Sequence, residues 1–406
     1  MSPSCNFVRR WDKADYAGLA ISLELMSWDS VFSDCADVNS LWDKFEMCVH
    51  SLIDAFVPGS IFNDKNRKRR LPNYVKNAFS RKRQLFDTMK KFPSAESKLT
   101  FKKWSHHCRL LLSEFQKQFE SRFIDSPNSK SFFNYVNSKL SSKSRVYSIH
   151  TVNGLTDNDV DKCKAFNDYF SSVFIDDDKR PLDLPALNCG DMPDFFVTRS
   201  DIFKVLKSLS NKRSYGPDGI PCCFLKNLAA QLSVPLHKIF SVSLISGKLP
   251  DRWKLATVCP LYKGKGNRSL VENYRPISLT SVCCKSMERI LKDRLVSHVI
   301  GQEIVSPDQH GFLKGKSTQT QLLECLNDWT SAIDQSGNID AIYLDIKKAF
   351  DTVSHSKLVS VLANYGIKGN MLRWITDFLG NRWQRVRING THSSLASVLS
   401  GVPHSG

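Results

Sequence analysis

Hydrophobic positions recur at helical spacing over much of the first half of the chain. Leu41, Phe45, Val49, Leu52 and Phe56 lie three or four residues apart, which predicts one face of a helix that Pro58–Gly59 ends. KNRKRR (65–70) reads as a charged linker. From Leu71 to Lys139 the pattern is helical again, through Tyr74, Phe79, Leu85 and Phe86, then Trp104, Cys108, Leu111, Leu112, Phe115 and Phe119. These apolar residues read as helix–helix core. Residues 140–153 are Ser-rich and run into an Asn153–Gly154 turn. Thr156-Asp-Asn-Asp159 then offers a cap for a helix carrying Cys163, Phe166, Tyr169, Phe170 and Phe174. Residues 176–199 are acidic, contain proline and predict a boundary loop.

After Ser200 the texture changes. Short helices are predicted around Ile202–Leu209 and over Leu225–Leu244, with a break near Pro235. Ala256–Tyr262 reads as a strand, and Ser281–Val299 and Ser317–Ile333 as amphipathic helices. Ile339–Leu344 predicts a buried strand delivering Asp345 at its end. Two more helices stop at Gly366 and Gly380. Trp383–Ile388, Asn389–Gly390 and Leu395–Leu399 predict a hairpin with a primed turn. The fold class expected is α+β, with a mainly helical basic arm over residues 1–150, a helix and connecting loop over 151–199, and the mixed domain over 200–406.

Composition narrows the partners. The chain has 406 residues and a net charge of +17, very unevenly spread. Residues 1–64 hold 4 basic and 10 acidic residues, residues 65–145 hold 21 and 5, and residues 146–406 hold 32 and 25. A fourfold excess of cations over 81 residues points to a polyanion, nucleic acid before an anionic membrane surface. No run approaches the ~18 apolar residues of a membrane span, and the N-terminus lacks the apolar core of a secretory signal. Twelve cysteines without a single CxxC argue against a disulfide framework or a zinc ribbon and for a reducing, intracellular setting.

Several tempting motifs fail. GFLKGKST (311–318) has three residues between its glycines where a phosphate-binding loop needs four. His106, His107 and Cys108 are consecutive, so a helix points them to different faces. Cys283 and Cys284 fall in an amphipathic helix and read as core. The chemistry-bearing stretch is IDAIYLDIKKAFDTVSH (339–355). A carboxylate at a strand mouth, Asp345, suits Mg2+ facing a triphosphate; a cap on the next turn is the competing role.

Residue order decides between them. The stretch resembles the first catalytic motif of reverse transcriptases from non-LTR (LINE-like, jockey-type) retrotransposons. Further segments match in the family's order: SYGPDGIP (214–221), VCPLYKGKGNRSLVENYRPISL (258–279), SPDQHGFLKGKST (306–318) and SGVP (400–403). AFNDYFSSVF (165–174) is similar to what precedes the polymerase in these elements, and residues 1–150 resemble the interval after the family's endonuclease. The resemblance implies a right-hand polymerase, here fingers and the first part of the palm. The family reaction is Mg2+-dependent addition of deoxynucleotides to a DNA primer on an RNA template.

It also implies roles. Asp345 would be the first metal-binding carboxylate and the carbonyl of Ile346 a backbone ligand. Lys263 and Arg275 would reach the triphosphate, Arg275 with the bidentate grip of a guanidinium. Phe350 would sit beneath the sugar and reject a 2′-hydroxyl, or simply pack in the core. Gln309 and Gly311 would support the template and nucleotide pocket, and Asp351 would be structural. The sequence departs from the pattern at Leu313, where the family often has Arg, and at His404–Ser405, where Gln-Gly is usual. The aromatic-Ala-Asp-Asp tetrapeptide of the family does not occur. The expectation is therefore a polymerase fragment, inactive alone for want of the second carboxylate pair. The rival is a non-catalytic RNA- or DNA-binding remnant, and the setting expected is cytoplasm or nucleus.

Overall fold

Asp37 starts a helix because its carboxylate accepts from the Ser40 amide at 2.8 Å while Ser40 Oγ accepts from the Asp37 amide at 3.2 Å. Those two bonds satisfy amide donors that a helix start leaves open. The computed structural model describes residues 6–62, 71–124, 136, 146–151, 154–177, 180, 182–185, 187 and 189–403. The KNRKRR run, Asn153 and His404–Ser405 lie outside them.

The chain divides into two compact units, residues 1–8 with 61–145 and residues 9–60 with 146–406. This differs from the division at residue 150 expected from charge and texture. The larger unit opens with α1 (Tyr16–Leu25) and α2 (Val38–Phe56). The predicted face of α2 is buried through Leu41, Phe45 and Val49, with Trp42 and Ile53 beside them. These residues share one core with Leu236, Phe240, Trp253, Met287 and Trp374 from far along the chain. The Trp42 and Trp253 rings meet edge to face at 5.1 Å. Each such buried side chain stabilises by about 1.5–3 kcal/mol. Part of the acidity of this first segment is paired inside the unit: Arg252 reaches Glu46 at 2.7 Å and Asp43 at 3.1 Å.

Most of the described part of the smaller unit is a helical hairpin of α3 (Asn73–Lys91) and α4 (Ala95–Ile124). The break falls at Phe92–Ser94, where Ser94 and Ser97 exchange amide-to-hydroxyl bonds of 3.0 Å each. Val75, Ala78 and Cys108 fill the seam, and Trp104 Nε1 donates to the Ala78 carbonyl at 3.0 Å. Arg81, Arg83, Lys102, Lys103 and Arg109 are exposed.

In the larger unit, α5 (Asp159–Ser171) is capped by Asn158 and α6 (Arg199–Ser208) by a reciprocal Thr198–Asp201 pair. The helical region after Pro221 is broken at Leu228 rather than at Pro235, giving α7 (Cys222–Asn227) and α8 (Ala229–Ser246). Pro235 stays inside α8, buried in the core.

Five strands make the sheet. β1 (Leu255–Tyr262) pairs antiparallel with β2 (Tyr274–Leu279), with Leu261 opposite Arg275 and Tyr262 opposite Tyr274. β1 also runs parallel to β3 (Arg382–Ile388), Leu255 opposite Trp383. A parallel neighbour requires a long crossover, and α9 (Val282–Gly301), α10 (Thr318–Asp334), α11 (His355–Asn364) and α12 (Gly369–Leu379) lie along it. β3 turns through Asn389–Gly390, both with positive φ, into β4 (Thr391–His392), and β5 (Ala396–Val398) pairs back on β3. α5 covers this sheet: Phe166 and Phe170 pack with Val258, Tyr274 and Val386. Cys283 and Cys284 are fully buried in α9 as expected, and burial pushes both thiols up.

The predicted strand over Ile339–Leu344 is a correction. These residues are not in a strand, and Ile342, Tyr343 and Leu344 are 85%, 83% and 91% exposed. The run has the composition of a strand covered on both faces, but no described segment pairs with it. Without a partner its backbone has no ladder and its side chains no cover. α10 forms as a helix but shares the lack of cover: its Leu322, Leu323 and Ile333 are exposed.

Candidate functional site

Where the β1–β2 hairpin ends, two cations meet one cavity. Lys263 follows β1 directly, its amide bonded to the Asn273 carbonyl at 2.8 Å, and Arg275 is the second residue of β2. Both line an open cleft of about 270 Å3, with Tyr274 and Pro276 from the same strand. The opposite wall is the turn Lys348–Asp351, and the third is the end of α5, Tyr169, Phe170 and Val173. Lys263 Nζ donates to the Glu272 carbonyl at 2.6 Å, which draws the ammonium back along the hairpin loop.

The Lys348–Asp351 wall is pinned from the far end of the described chain. The Val402 amide donates to the Phe350 carbonyl at 2.9 Å, and Gly401 N donates to the Val353 carbonyl at 2.8 Å. Ser400 Oγ donates to the Asp351 carbonyl at 2.7 Å and accepts from the Ile175 amide at 2.9 Å. Gly401 has φ of +83°, and a Cβ there would stand 2.7 Å from the Phe350 oxygen and 2.8 Å from that of Asp351. Only glycine meets both conditions. The SGVP segment is thus a clamp on the turn that carries Phe350.

The predicted site residues divide into two groups. Lys263, Arg275 and Phe350 line the cavity together, with Asp351. The Phe350 ring is 42% exposed, so it is not core, and it meets the Phe312 ring edge to face at 6.3 Å. Phe312 has φ of +64° and follows Gly311, so the Gly311 loop reaches the cavity rim through its neighbour. Gln309 donates back to the Gly311 carbonyl at 3.2 Å and does not line the cavity. Asp345 and Ile346 lie on the exposed run, outside the cavity lining, and both are exposed.

Sequence reasoning did not single out Tyr169 and Lys348 as site residues. The aromatic spacing of α5 pointed to its packed face, and Tyr169 is one residue off it. It also missed His310, buried at 5% exposure, whose Nε2 meets Glu324 Oε2 and whose Nδ1 meets Thr320 Oγ1, both at 2.8 Å. His310 fastens the Gln309–Gly311 loop to α10.

SYGPDGIP has a different task. Gly216 packs against the Thr280 backbone, where a Cβ would lie 2.4 Å from the carbonyl oxygen. Asp218 is buried at 8% exposure, and His50 Nε2 donates to its carbonyl at 2.9 Å. Burial pushes the Asp218 carboxyl up to about 6, with Ser281 partly opposing. This loop joins α2 to the start of α9 and contributes nothing to the cavity lining.

Residues 263–404 match the family described as "Reverse transcriptase (RNA-dependent DNA polymerase)". Over 209 residues, half of this chain, 29% are identical to a probable RNA-directed DNA polymerase from transposon BS of Drosophila melanogaster, covering 22% of that protein. The RNA-directed DNA polymerase from mobile element jockey of the same organism is 28% identical over 51% of this chain and 22% of its own length. A Pol polyprotein from the type-1 retrotransposable element R2 of Popillia japonica is 29% identical over 39% of this chain, again 22% of its own. The match thus spans about a fifth of the length of these relatives. Lys263, Arg275 and the clamped turn all fall inside the matched residues, so this part of the chain is similar to the reverse transcriptases of retrotransposons.

Proposed function

We propose that the cavity takes the incoming deoxynucleoside triphosphate of RNA-directed DNA synthesis. The observation that carries this reading is the convergence of Lys263, Arg275 and Phe350, far apart in sequence, on one open cleft. Arg275 and Lys263 serve the phosphates, because cations with N–H donors bind phosphate oxygens by charge-assisted hydrogen bonds. Phe350 lies under the sugar, where a ring leaves no space for a 2′-hydroxyl. Gln309 and Gly311 brace the rim on which a template base rests. In this reading the β1–β2 hairpin belongs to the fingers and the clamped turn with β3 to the palm, and an RNA template with a DNA primer passes in front. The exposed cations of α3 and α4 add affinity for the polyanion. No described helix is long and apolar enough to cross a membrane; an intracellular setting, cytoplasm or nucleus, completes the reading.

Divalent metal is part of the family's chemistry, and Asp345 with the Ile346 carbonyl would offer Mg2+ two oxygen ligands. Two-metal catalysis needs more. Among the described residues no three His, Cys, Asp or Glu side chains gather as a metal site. The described residues do not fit a two-metal centre by themselves. That same observation favours a second reading, a nucleic-acid-binding remnant without catalysis.

Photocrosslinking separates the two. An azido-deoxyuridine triphosphate should label peptides spanning 263–276 and 348–351, with unlabelled dTTP competing. An RNA-templated primer-extension assay run beside it reports catalysis directly. Tight RNA and DNA binding with neither labelling nor extension would leave the remnant reading.

A further inference from the structure

Lys348 is the cavity-lining cation to which no role has yet been given. Its ammonium lies 5.0 Å from the centre of the Tyr169 ring, on the α5 wall. Its backbone has φ of +55°, and its carbonyl accepts from the amides of Asp351 at 2.9 Å and Thr352 at 3.2 Å. A lysine in the left-handed region is uncommon, and such conformations persist where surrounding bonds over-determine them. Here the turn and the Ser400–Val402 clamp do so, and Lys348 points to Tyr169 on the α5 wall. The lining then holds three cations, Lys263, Arg275 and Lys348, against one carboxylate, Asp351. The excess positive charge calls for an anionic ligand with several charged oxygens.

We infer that Lys348, parked over the Tyr169 ring, is a third phosphate-binding cation for the nucleotide, and that Tyr169 is its positioning residue. The inference rests on the nucleotide reading of the cavity. A cation resting on an aromatic face gains roughly 0.5–2 kcal/mol. A charge-assisted bond to a phosphate oxygen is stronger, so the ammonium can leave the ring for the ligand over a short path. Tyr169 keeps the side chain out of bulk solvent and facing the cavity until then. This also explains why α5, which lies before the matched polymerase residues, reaches the cavity: Phe166 and Phe170 hold it on the sheet, and the residue between them that faces the cleft is the aromatic one.

Calorimetric titration of the full chain with inorganic tripolyphosphate, dTTP and thymidine tests this. Lys348→Met should weaken tripolyphosphate and dTTP binding about tenfold, leave thymidine unaffected and keep the melting temperature. Tyr169→Leu should weaken both phosphorylated ligands about threefold, and Tyr169→Phe, which keeps the ring, should recover most of that loss. If Arg275→Gln weakens dTTP binding and Lys348→Met does not, the inference fails and the nucleotide reading stands. If Tyr169→Leu and Tyr169→Phe behave alike, the positioning role fails. If the unmodified chain binds neither dTTP nor tripolyphosphate, the nucleotide reading falls and this inference with it.

Discussion

Phe350 and Asp345 are five residues apart and live in different physical worlds. Phe350 sits on a turn whose carbonyls are held by Gly401, Val402 and Ser400, and whose ring meets Phe312. Asp345 ends a run of apolar residues that touches little, with Leu344 and Ile346 at 91% and 74% exposure. The difference lies in where each gets its partners. The turn is completed by residues 400–402 and by α5, so it is determined within the described residues. The run has the sequence of a central strand, and a strand is made by its neighbours. Within the described residues the part of the cavity that would face a nucleotide in the proposed reading is therefore built, while Asp345, which would hold metal, is displayed without companions.

Breaking the clamp should have the largest effect. Gly401→Ala puts a Cβ under 3 Å from two carbonyl oxygens at a φ of +83°. Backbone strain of this kind costs about 1–3 kcal/mol, and displacing the carbonyls adds to it. The expected loss is about 3 kcal/mol or more by denaturant unfolding, with dTTP affinity lost alongside. Unchanged stability would mean that the turn and the SGVP segment are not joined, and the contrast with Asp345 would dissolve.

The second effect is one of pH, at the joint between α2 and α9. Asp218 has its carboxyl raised to about 6 by burial, from an ordinary value of 3.8. A raised acid favours the protonated folded state, so its contribution is full below pH 3.8 and is lost as pH rises through 6. His50 is also raised above 6.5, mainly by the Glu46 carboxylate 3.8 Å away, with the Asp218 carbonyl adding to it. Its contribution is full below 6.5 and lost at higher pH. Both groups make this joint firmer at pH 5.5 than at pH 8. Two pKa units correspond to about 2–3 kcal/mol. Asp218→Asn should raise the melting temperature at pH 8 and flatten its change down to pH 5.5. A variant with the same slope as the parent would assign that slope to other groups.

Much of this was legible because it is local. The α2 face, the Asn389–Gly390 turn and the helix stops at Gly366 and Gly380 follow from residue spacing and from glycine. β2 was not separated from its motif because Pro276 interrupts it; the strand tolerates Pro276, opposite Pro260, because it lies at the sheet edge. Lys263, Arg275 and Phe350 were found through family resemblance, since no spacing rule links them. Tyr169 and Lys348 meet across 179 residues of chain, which no local pattern could reveal. The exposed run shows the opposite failure: its composition suggests a buried strand, and no described segment pairs with it.

Phe350 offers a third and smaller effect. At 42% exposure, Phe350→Val leaves less of a void than a core truncation, so a loss of about 1 kcal/mol is expected. Binding of UTP should gain several-fold relative to dUTP, which differs only in the 2′-hydroxyl. A fall in stability of 3 kcal/mol with an unchanged UTP/dUTP ratio would make Phe350 a packing residue and remove the sugar gate.

The smallest effect belongs to Asp345, and it tests the other half of the comparison. Asp345→Asn removes a charge from an exposed side chain on an unpaired run, and exposed substitutions of that kind stay within about 0.5 kcal/mol. The melting temperature should not move. Amides 340–346 should exchange hydrogen nearly as fast as an unstructured peptide, because backbone groups outside a ladder are open to water. Protected amides, or a melting temperature lowered by several degrees, would show that the run finds a partner in solution. A second copy is one source, and protection that grows with protein concentration would identify it. In that case Asp345 would be held as firmly as Phe350, and the two halves of the site would differ only in which chain supplies their neighbours.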